Sequence, residues 1–202
     1  IGFDDSAWTG GAAAFYAGTP ASSGAGEGLL AWWPLNETTG TNAANAAPGG
    51  AAASLQGATW INDAIRGRVL SLEGGSDYVS AGATAVPVMT LTNEFTWVFH
   101  AWSGETGTSS VILGNRYSPS GSDFTPREFI KFTPGQFEFH RNGGGENIDY
   151  PDLPTASWVH HAVVKKGASL TYYRNGAAAG SATITQPTQN PQPLYFGGDR
   201  TA

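Results

Sequence analysis

Cysteine is absent from the 202-residue chain, and charged residues are scarce. Without a thiol the chain has no disulfide framework, no thiolate zinc site and no cysteine nucleophile. Charged side chains make up 13% of the sequence, about half the share in an ordinary soluble protein. The net charge is −6, and no run of lysine or arginine occurs. Because a phosphate backbone is bound by clustered cations, nucleic acid is excluded as a partner.

Long apolar runs are also missing. No stretch approaches the roughly 18 to 20 apolar residues that a membrane helix needs. No cationic start followed by an apolar segment marks a signal peptide. The chain begins at Ile1 and not at Met, so we expect it to be a processed or excised piece of a longer protein.

Glycine and aromatic residues are abundant instead. The chain has 28 glycines, and 12% of its residues are Phe, Trp or Tyr. This mixture is typical of short strands joined by tight turns, and no segment of ten or more residues keeps the periodicity of a helix. About a dozen strand-sized pieces follow one another along the chain. We therefore predict an all-β fold, an antiparallel two-sheet β-sandwich of the jelly-roll type.

The composition changes near residue 28. Residues 1–28 are dominated by Gly, Ala, Ser and Thr, and such a segment has little apolar surface with which to fold alone. From Leu29 a compact apolar run, LLAWWPL, ends at the turn-forming cluster NETTG. We predict a linker, or the tail of a preceding module, over residues 1–28 and one sandwich domain over residues 29–202.

Two adjacent histidines, His160 and His161, stand in the stretch SWVHHAVVKKGASLTYYRNG. Alternation along a strand sends neighbouring side chains to opposite faces, so these two imidazoles do not form one centre. A zinc site needs three or four ligands from different elements, and the sequence does not give the register of the other two histidines. Asn175-Gly176, at the end of this stretch, predicts a tight hairpin.

Several segments resemble, in order, the strands of laminin G-like domains of the concanavalin A-like superfamily. The resemblance covers roughly residues 29 to 199. It rests on a Trp-x-Leu-Asn-Glu-x-x-Gly first strand, a Gly-x-x-Asp-Tyr-Val corner, a Phe-Thr-x-x-x-x-Ala-Trp strand and a Trp-x-His hairpin. These motifs stand in the segments AWWPLNETTGT, GATWINDAIRGRVLSLEGGSDYVSAG, FTWVFHAW and SWVHHAVVKKGASLTYYRNGAAAGS.

The resemblance implies further properties. His160 matches a histidine that family members place on the core side of its strand, which leaves His161 on the opposite face. Many members hold a structural calcium ion, and Glu37 matches the acidic position near it, with Asp77 as a second candidate ligand. Members normally continue beyond PLYFGG into further strands, so we expect the sheet to be incomplete or to be completed by another segment.

Catalytic constellations are not found in the sequence. Glycoside hydrolases on this type of sandwich present two carboxylates from one strand, because alternation then places both on one face. The strand EFTWVFHAW, which is most similar to a catalytic one, carries aromatic residues instead. Its two faces are both bulky, which predicts a central strand covered on both sides. We expect no catalytic residue, and a glycan-active hydrolase whose carboxylates pair only in three dimensions remains an alternative.

Sugar-binding surfaces combine an exposed aromatic ring with polar groups at its edge. Long irregular segments offer such residues, and the candidate ligand contacts are Arg116, Tyr117, Arg127 and Tyr150.

The leading hypothesis is a non-catalytic recognition or adhesion module of a larger secreted or surface protein. It would act outside the cell and bind a glycan or an extracellular protein. The alternative is a structural subunit of a cell-surface or filament assembly. In that case an edge of the sheet would be completed by another chain, with residues 1–28 as the donor, which predicts self-assembly.

Overall fold

The structure is a computed structural model, and it describes residues 13–16, 29–73, 77–82, 94–102, 113–114, 129–132, 136–141, 144–150, 156–183 and 194–197. These residues form sixteen β-strands and no helix. The strands, in chain order, are β1 (Ala13–Tyr16), β2 (Leu29–Trp33), β3 (Asn42–Ala43), β4 (Ala53–Gln56), β5 (Thr59–Asp63), β6 (Gly67–Ser71), β7 (Tyr78–Gly82), β8 (Phe95–Trp102), β9 (Leu113–Gly114), β10 (Phe129–Phe132), β11 (Gln136–Arg141), β12 (Gly144–Asp149), β13 (Trp158–Lys166), β14 (Ser169–Arg174), β15 (Ala177–Thr183) and β16 (Leu194–Phe196).

Two antiparallel sheets make up most of the fold. The six-stranded sheet has the order β15-β14-β13-β8-β1-β2, and the eight-stranded sheet has the order β12-β11-β10-β9-β16-β7-β4-β3. Strands β5 and β6 form a separate hairpin. The predicted all-β antiparallel sandwich is thereby confirmed.

The core lies between the two sheets and follows from strand alternation. On β8 the residues Phe95, Trp97 and Phe99 point inward and are at most 5% exposed, while the residues between them are half-buried. Trp33 of β2 meets Phe196 of β16 edge to face, with ring centroids 5.4 Å apart. Each such side chain stabilises the fold by about 2 to 3 kcal/mol through apolar burial.

Strand β1 comes from the stretch that the sequence assigns to a linker. It pairs antiparallel with β2 on one side and with β8 on the other, so it lies inside the six-stranded sheet. Of residues 1–28 the structure describes only Ala13–Tyr16. These four residues pair as part of the sandwich, and the boundary at residue 28 stays a prediction for the others.

Two further elements bear on the sequence predictions. Asn175 and Gly176 have φ angles of 49° and 81°, as a two-residue hairpin turn of type I′ requires, and they join β14 to β15 as predicted. Strand β16, near the end of the chain, lies between β9 and β7 in the interior of the eight-stranded sheet.

Candidate functional site

The outward face of the six-stranded sheet carries the most distinctive side chains among the described residues. Its middle part is formed by the neighbouring strands β8, β13 and β14. Every second residue of each strand points away from the core. The outward residues of these strands are Thr96, Val98, His100, Trp102, Trp158, His160, Ala162, Val164, Lys166, Ser169, Thr171 and Tyr173. None of these twelve residues is acidic.

Aromatic and imidazole rings gather at one end of this face. In the antiparallel register Trp102 stands directly opposite Trp158, and His100 stands opposite His160. Trp102 is 50% exposed, and the imidazole centroids of His100 and His160 are 4.9 Å apart. We refer to these four residues as the aromatic end. The prediction that β8 is covered on both sides is wrong at Trp102, since the strand is central but its outer face is open there.

The turn between β5 and β6 lies alongside the aromatic end. Asp63 Oδ1 accepts hydrogen bonds from Trp158 Nε1 at 3.1 Å and from the backbone N–H groups of Ile65 and Arg66 at 2.9 and 2.7 Å. These bonds, that from the Arg66 backbone first, hold the pKa of Asp63 below its ordinary value. The Arg66 guanidinium carbon is 5.9 Å from the centre of the Trp158 ring. The turn therefore fixes the orientation of Trp158 and places charged and polar groups at its edge.

Behind this face, His161 is part of the core. It is 0% exposed, its ring stacks on Phe99 at 4.8 Å, and Tyr172 Oη lies 2.9 Å from its Nδ1. Burial, and then the nearby positive charge of Arg174, lowers the pKa of His161 to about 3. The imidazole is therefore neutral at physiological pH. It is a core residue and takes no part in ligand binding on the outer face.

The face assignment of the two histidines was predicted the wrong way round. Strand alternation does separate them, but His161 is the buried imidazole and His160 is the outward one. The physical reason is that His161 shares its face with Val159 and Val163, which are 2% and 0% exposed.

Of the four predicted ligand contacts, Arg116, Tyr117 and Arg127 lie outside the described residues. Tyr150 is described, and it is only 7% exposed. Its ring packs on Tyr172 with centroids 4.4 Å apart, and the Arg174 guanidinium carbon lies 5.5 Å from its centre. This core position differs from the exposed rim expected from the sequence, because the ring fills the space between the sheets.

The two predicted calcium ligands do not come together. Glu37 Oε1 accepts a hydrogen bond of 2.6 Å from the N–H of Ala44, just after β3. Asp77 Oδ2 accepts one of 3.0 Å from the N–H of Glu73, and its other oxygen lies over Gly57 at the far end of β4. Glu37 is therefore near β3, which pairs with β4 at Ala53. Asp77 is near Gly57, which is four residues further along the chain, or roughly 13 Å on a strand. The two carboxylates therefore occupy separate places.

Glu37 and Asp77 also differ in how their oxygens are used. Glu37 Oε2 is buried and accepts no hydrogen bond within the described part of the chain, which is the state of an oxygen that suits a cation. Both Asp77 oxygens lie against the backbone, as in a side chain that stabilises a turn. Glu37 fits the predicted role of calcium ligand better than Asp77 does.

The described residues contain no cluster of three or more His, Asp or Glu side chains arranged to hold a metal ion. They also contain no helix with the length and apolar character needed to cross a bilayer.

Comparison with known proteins places the chain in a family. The family model for the concanavalin A-like lectin/glucanases superfamily, of the laminin G type, matches residues 73–202, which is more than half of the chain. The chain belongs to this superfamily. The match confirms the resemblance seen in the strand motifs. No curated protein matches the chain.

Three solved structures are similar to this superfamily member. Domain 4 of AbnA, a GH43 extracellular arabinanase from Geobacillus stearothermophilus solved with arabinotriose, is 14% identical over 76% of each chain, with a TM-score of 0.51. The carbohydrate-binding module CBM66 from Bacillus subtilis is 15% identical over 72% of this chain and 88% of its own, with a TM-score of 0.39. Alginate lyase AlgAT5, of polysaccharide lyase family 7, is 12% identical over 92% and 81%, with a TM-score of 0.36. At these identities the likeness concerns the fold alone.

The aromatic end was not predicted from the sequence. Its residues lie in the segments HAW of β8 and WVH of β13, which are more than fifty positions apart. The available signal was that both strands alternate a tryptophan with a histidine on the same face. That signal identifies a site only when the two strands are known to be neighbours in this register.

Proposed function

We propose that this concanavalin A-like domain is a non-catalytic glycan-recognition module and that the aromatic end is its binding face. The observation that carries the proposal is the half-exposed indole of Trp102, which stands opposite Trp158 on the outward face of the six-stranded sheet. The faces of sugar rings are apolar and their hydroxyl groups are polar, so a flat aromatic ring edged by hydrogen-bonding groups suits them.

The dimensions of the aromatic end agree with a short saccharide. Neighbouring strands are about 4.8 Å apart, and rows of outward side chains follow one another every two residues, roughly 7 Å. One sugar ring covers Trp102, and a second can reach the His100–His160 pair or the Asp63–Arg66 turn. The imidazoles and the Arg66 guanidinium supply hydrogen-bond donors for hydroxyl groups.

The non-catalytic part of the proposal rests on the outward side chains. Glycoside hydrolysis uses two carboxyl groups about 5 to 10 Å apart on the substrate face. The outward positions of β8, β13 and β14 carry none. Asp63, beside them, accepts three hydrogen bonds through one oxygen and supports Trp158. A glycan-active hydrolase is therefore the less favoured candidate.

An extracellular location is part of the same proposal. It is supported by the similarity in fold to a domain of an extracellular arabinanase.

Glycan binding is tested with an oligosaccharide array that includes arabinotriose, followed by calorimetry on the strongest ligand. Trp102→Ala is expected to weaken binding at least tenfold, which corresponds to about 1.4 kcal/mol. Tyr195→Ala is the matched control, because Tyr195 packs on Tyr78 in the opposite, eight-stranded sheet. An array without ligands, or equal losses in both variants, would contradict the proposal.

A structural calcium ion at Glu37 is proposed as a second feature. Glu37 would supply Oε2, and backbone carbonyl oxygens of the same loops would supply the rest, since calcium prefers several oxygen ligands. Calorimetric titration of the chain with Ca²⁺ is expected to give heat that Glu37→Gln abolishes, while Asp77→Asn keeps it. The glutamine retains an acceptor for the Ala44 N–H. No heat with the unmutated chain would refute the site.

Self-assembly by strand exchange is the second candidate function. The specific observation is that β1, from the stretch predicted to donate a strand, pairs between β2 and β8. The same pairing made between two copies would link them. Light scattering of the whole chain is then expected to show dimers or larger species, and a monomer at all concentrations would count against this candidate.

A further inference from the structure

The histidine pair of the aromatic end has a geometry of its own. His100 on β8 and His160 on β13 are direct cross-strand partners, and both point away from the core. Their ring planes are inclined by 54° and their centroids are 4.9 Å apart. The other two histidines are elsewhere in the fold, since His161 points into the core and His140 is on β11 of the other sheet.

This separation agrees with joint coordination of one metal ion. A zinc–nitrogen bond is about 2.0 to 2.1 Å long, so the centre of a bound imidazole ring lies about 3.2 Å from the metal. Two rings bound at angles between 90° and 109° then have centroids about 4.5 to 5.2 Å apart. The observed distance of 4.9 Å lies inside that range. The spacing of the two rings therefore fits one shared ion.

The backbone holds the pair in place. Strand β13 lies between β8 and β14 in the interior of the six-stranded sheet. The His160 N–H donates to Asn175 Oδ1, and the Asn175 N–H donates to the His160 carbonyl, both at 2.9 Å. Each imidazole has two nitrogens, so one can bind a metal while the other keeps a hydrogen bond.

We propose that His100 and His160 form a two-histidine binding site for a divalent transition-metal ion of the zinc, copper or nickel class. Imidazole nitrogen suits these ions, whereas calcium and magnesium select oxygen. Within the described residues no third His, Asp or Glu joins the pair. Water, or donors from outside the described residues, would fill the remaining coordination positions.

The test is metal titration of the untagged full chain in the absence of any sugar. Calorimetry with Zn²⁺ is expected to show one equivalent bound, and Cu²⁺ electron paramagnetic resonance is expected to show coupling to imidazole nitrogens from two histidines. His100→Ala and His160→Ala should each weaken Zn²⁺ binding at least about ten- to hundredfold. Loss of a group that only supports a metal ligand already has an effect of this size. Ca²⁺ should not compete.

His140→Ala is the matched control, because it also removes a strand histidine but leaves the pair intact. It should bind Zn²⁺ as the unmutated chain does. The proposal is overturned if the double variant His100→Ala/His160→Ala, shown to be folded by near-ultraviolet circular dichroism, keeps its affinity. It is also overturned if the unmutated chain binds Zn²⁺ more weakly than about 1 mM. The metal titration contains no sugar, so its result does not depend on whether the chain binds a glycan.

Discussion

Replacing His161 by glutamine is expected to remove a pH dependence of stability that the unmutated chain carries below about pH 6.5. The imidazole is fully buried between Phe99 and Tyr172. Burial and the positive charge of Arg174 lower its pKa to about 3. In the unfolded chain the same group has an ordinary histidine pKa near 6.5.

The sign and the size follow from linkage. Between pH 6.5 and 3 the unfolded chain binds a proton at His161 and the folded chain does not, so the free energy of unfolding falls as the pH falls. The limiting slope is about 1.4 kcal/mol per pH unit. At pH 5 the unmutated chain should have lost roughly 2 kcal/mol through this group relative to pH 8. Above pH 6.5 the group is neutral in both states and contributes no pH dependence.

The assay is urea unfolding at pH 8, 7, 6 and 5 for both chains. The quantity of interest is the difference in their free energies of unfolding, because the contributions of the carboxylates cancel in it. Glutamine keeps a hydrogen-bonding partner for Tyr172 but does not titrate, so the difference should change by about 2 kcal/mol between pH 8 and pH 5. His160→Gln keeps the buried imidazole of His161, so it should keep the pH dependence that His161 causes. Parallel curves for the unmutated chain and His161→Gln would refute the reasoning.

Three other substitutions have definite expected outcomes. Gly180→Ala should destabilise the fold by about 1 to 3 kcal/mol in urea unfolding, because a Cβ there would overlap Ile148 Cγ2 where β15 meets β12. Ala156→Gly should stabilise it by about 0.5 to 1 kcal/mol, since exposed Ala156 has a φ of 55°. Asp63→Ala removes the acceptor for Trp158 Nε1, so it should change tryptophan fluorescence and weaken glycan binding while far-ultraviolet circular dichroism stays unchanged.

The fold was predictable where its signals are local. Asn175-Gly176 favours a two-residue turn through backbone preferences that need no neighbours, and the turn forms with the expected positive φ angles. Strand alternation likewise separates His160 from His161. Local alternation does not say which face is buried, however.

Lys165 is an exception to the local signals on β13, whose buried face the family resemblance assigned incorrectly. It shares its face with His161 and Val163, and a lysine ordinarily marks an exposed face. In the structure Lys165 is 1% exposed, at the end of the strand, and its Nζ donates to the Gly167 carbonyl at 3.0 Å. Burial lowers the pKa of its ammonium group, and Glu94 partly opposes this shift. Lys165 can lie on a core face because the turn at Gly167 provides a carbonyl oxygen that accepts a hydrogen bond from its ammonium group.

The aromatic end depends on register between distant strands. Trp102 and Trp158 become neighbours only because β13 pairs with β8 across more than fifty intervening residues. A shift of one residue would send either side chain to the opposite face of the sheet. A single sequence does not specify that register, so the candidate site follows from the sheet and not from a motif.

The most direct test of the account is to locate the bound glycan on the surface by NMR. The chain has seven tryptophans, and their indole N–H signals can be followed in a ¹⁵N-labelled sample titrated with the strongest oligosaccharide from the array. The signals of Trp102 and Trp158, identified with Trp102→Phe and Trp158→Phe, should shift most, together with the backbone amides of His100 and His160. Shifts that instead cluster around Tyr78 and Tyr195 on the other sheet would contradict the proposed binding face.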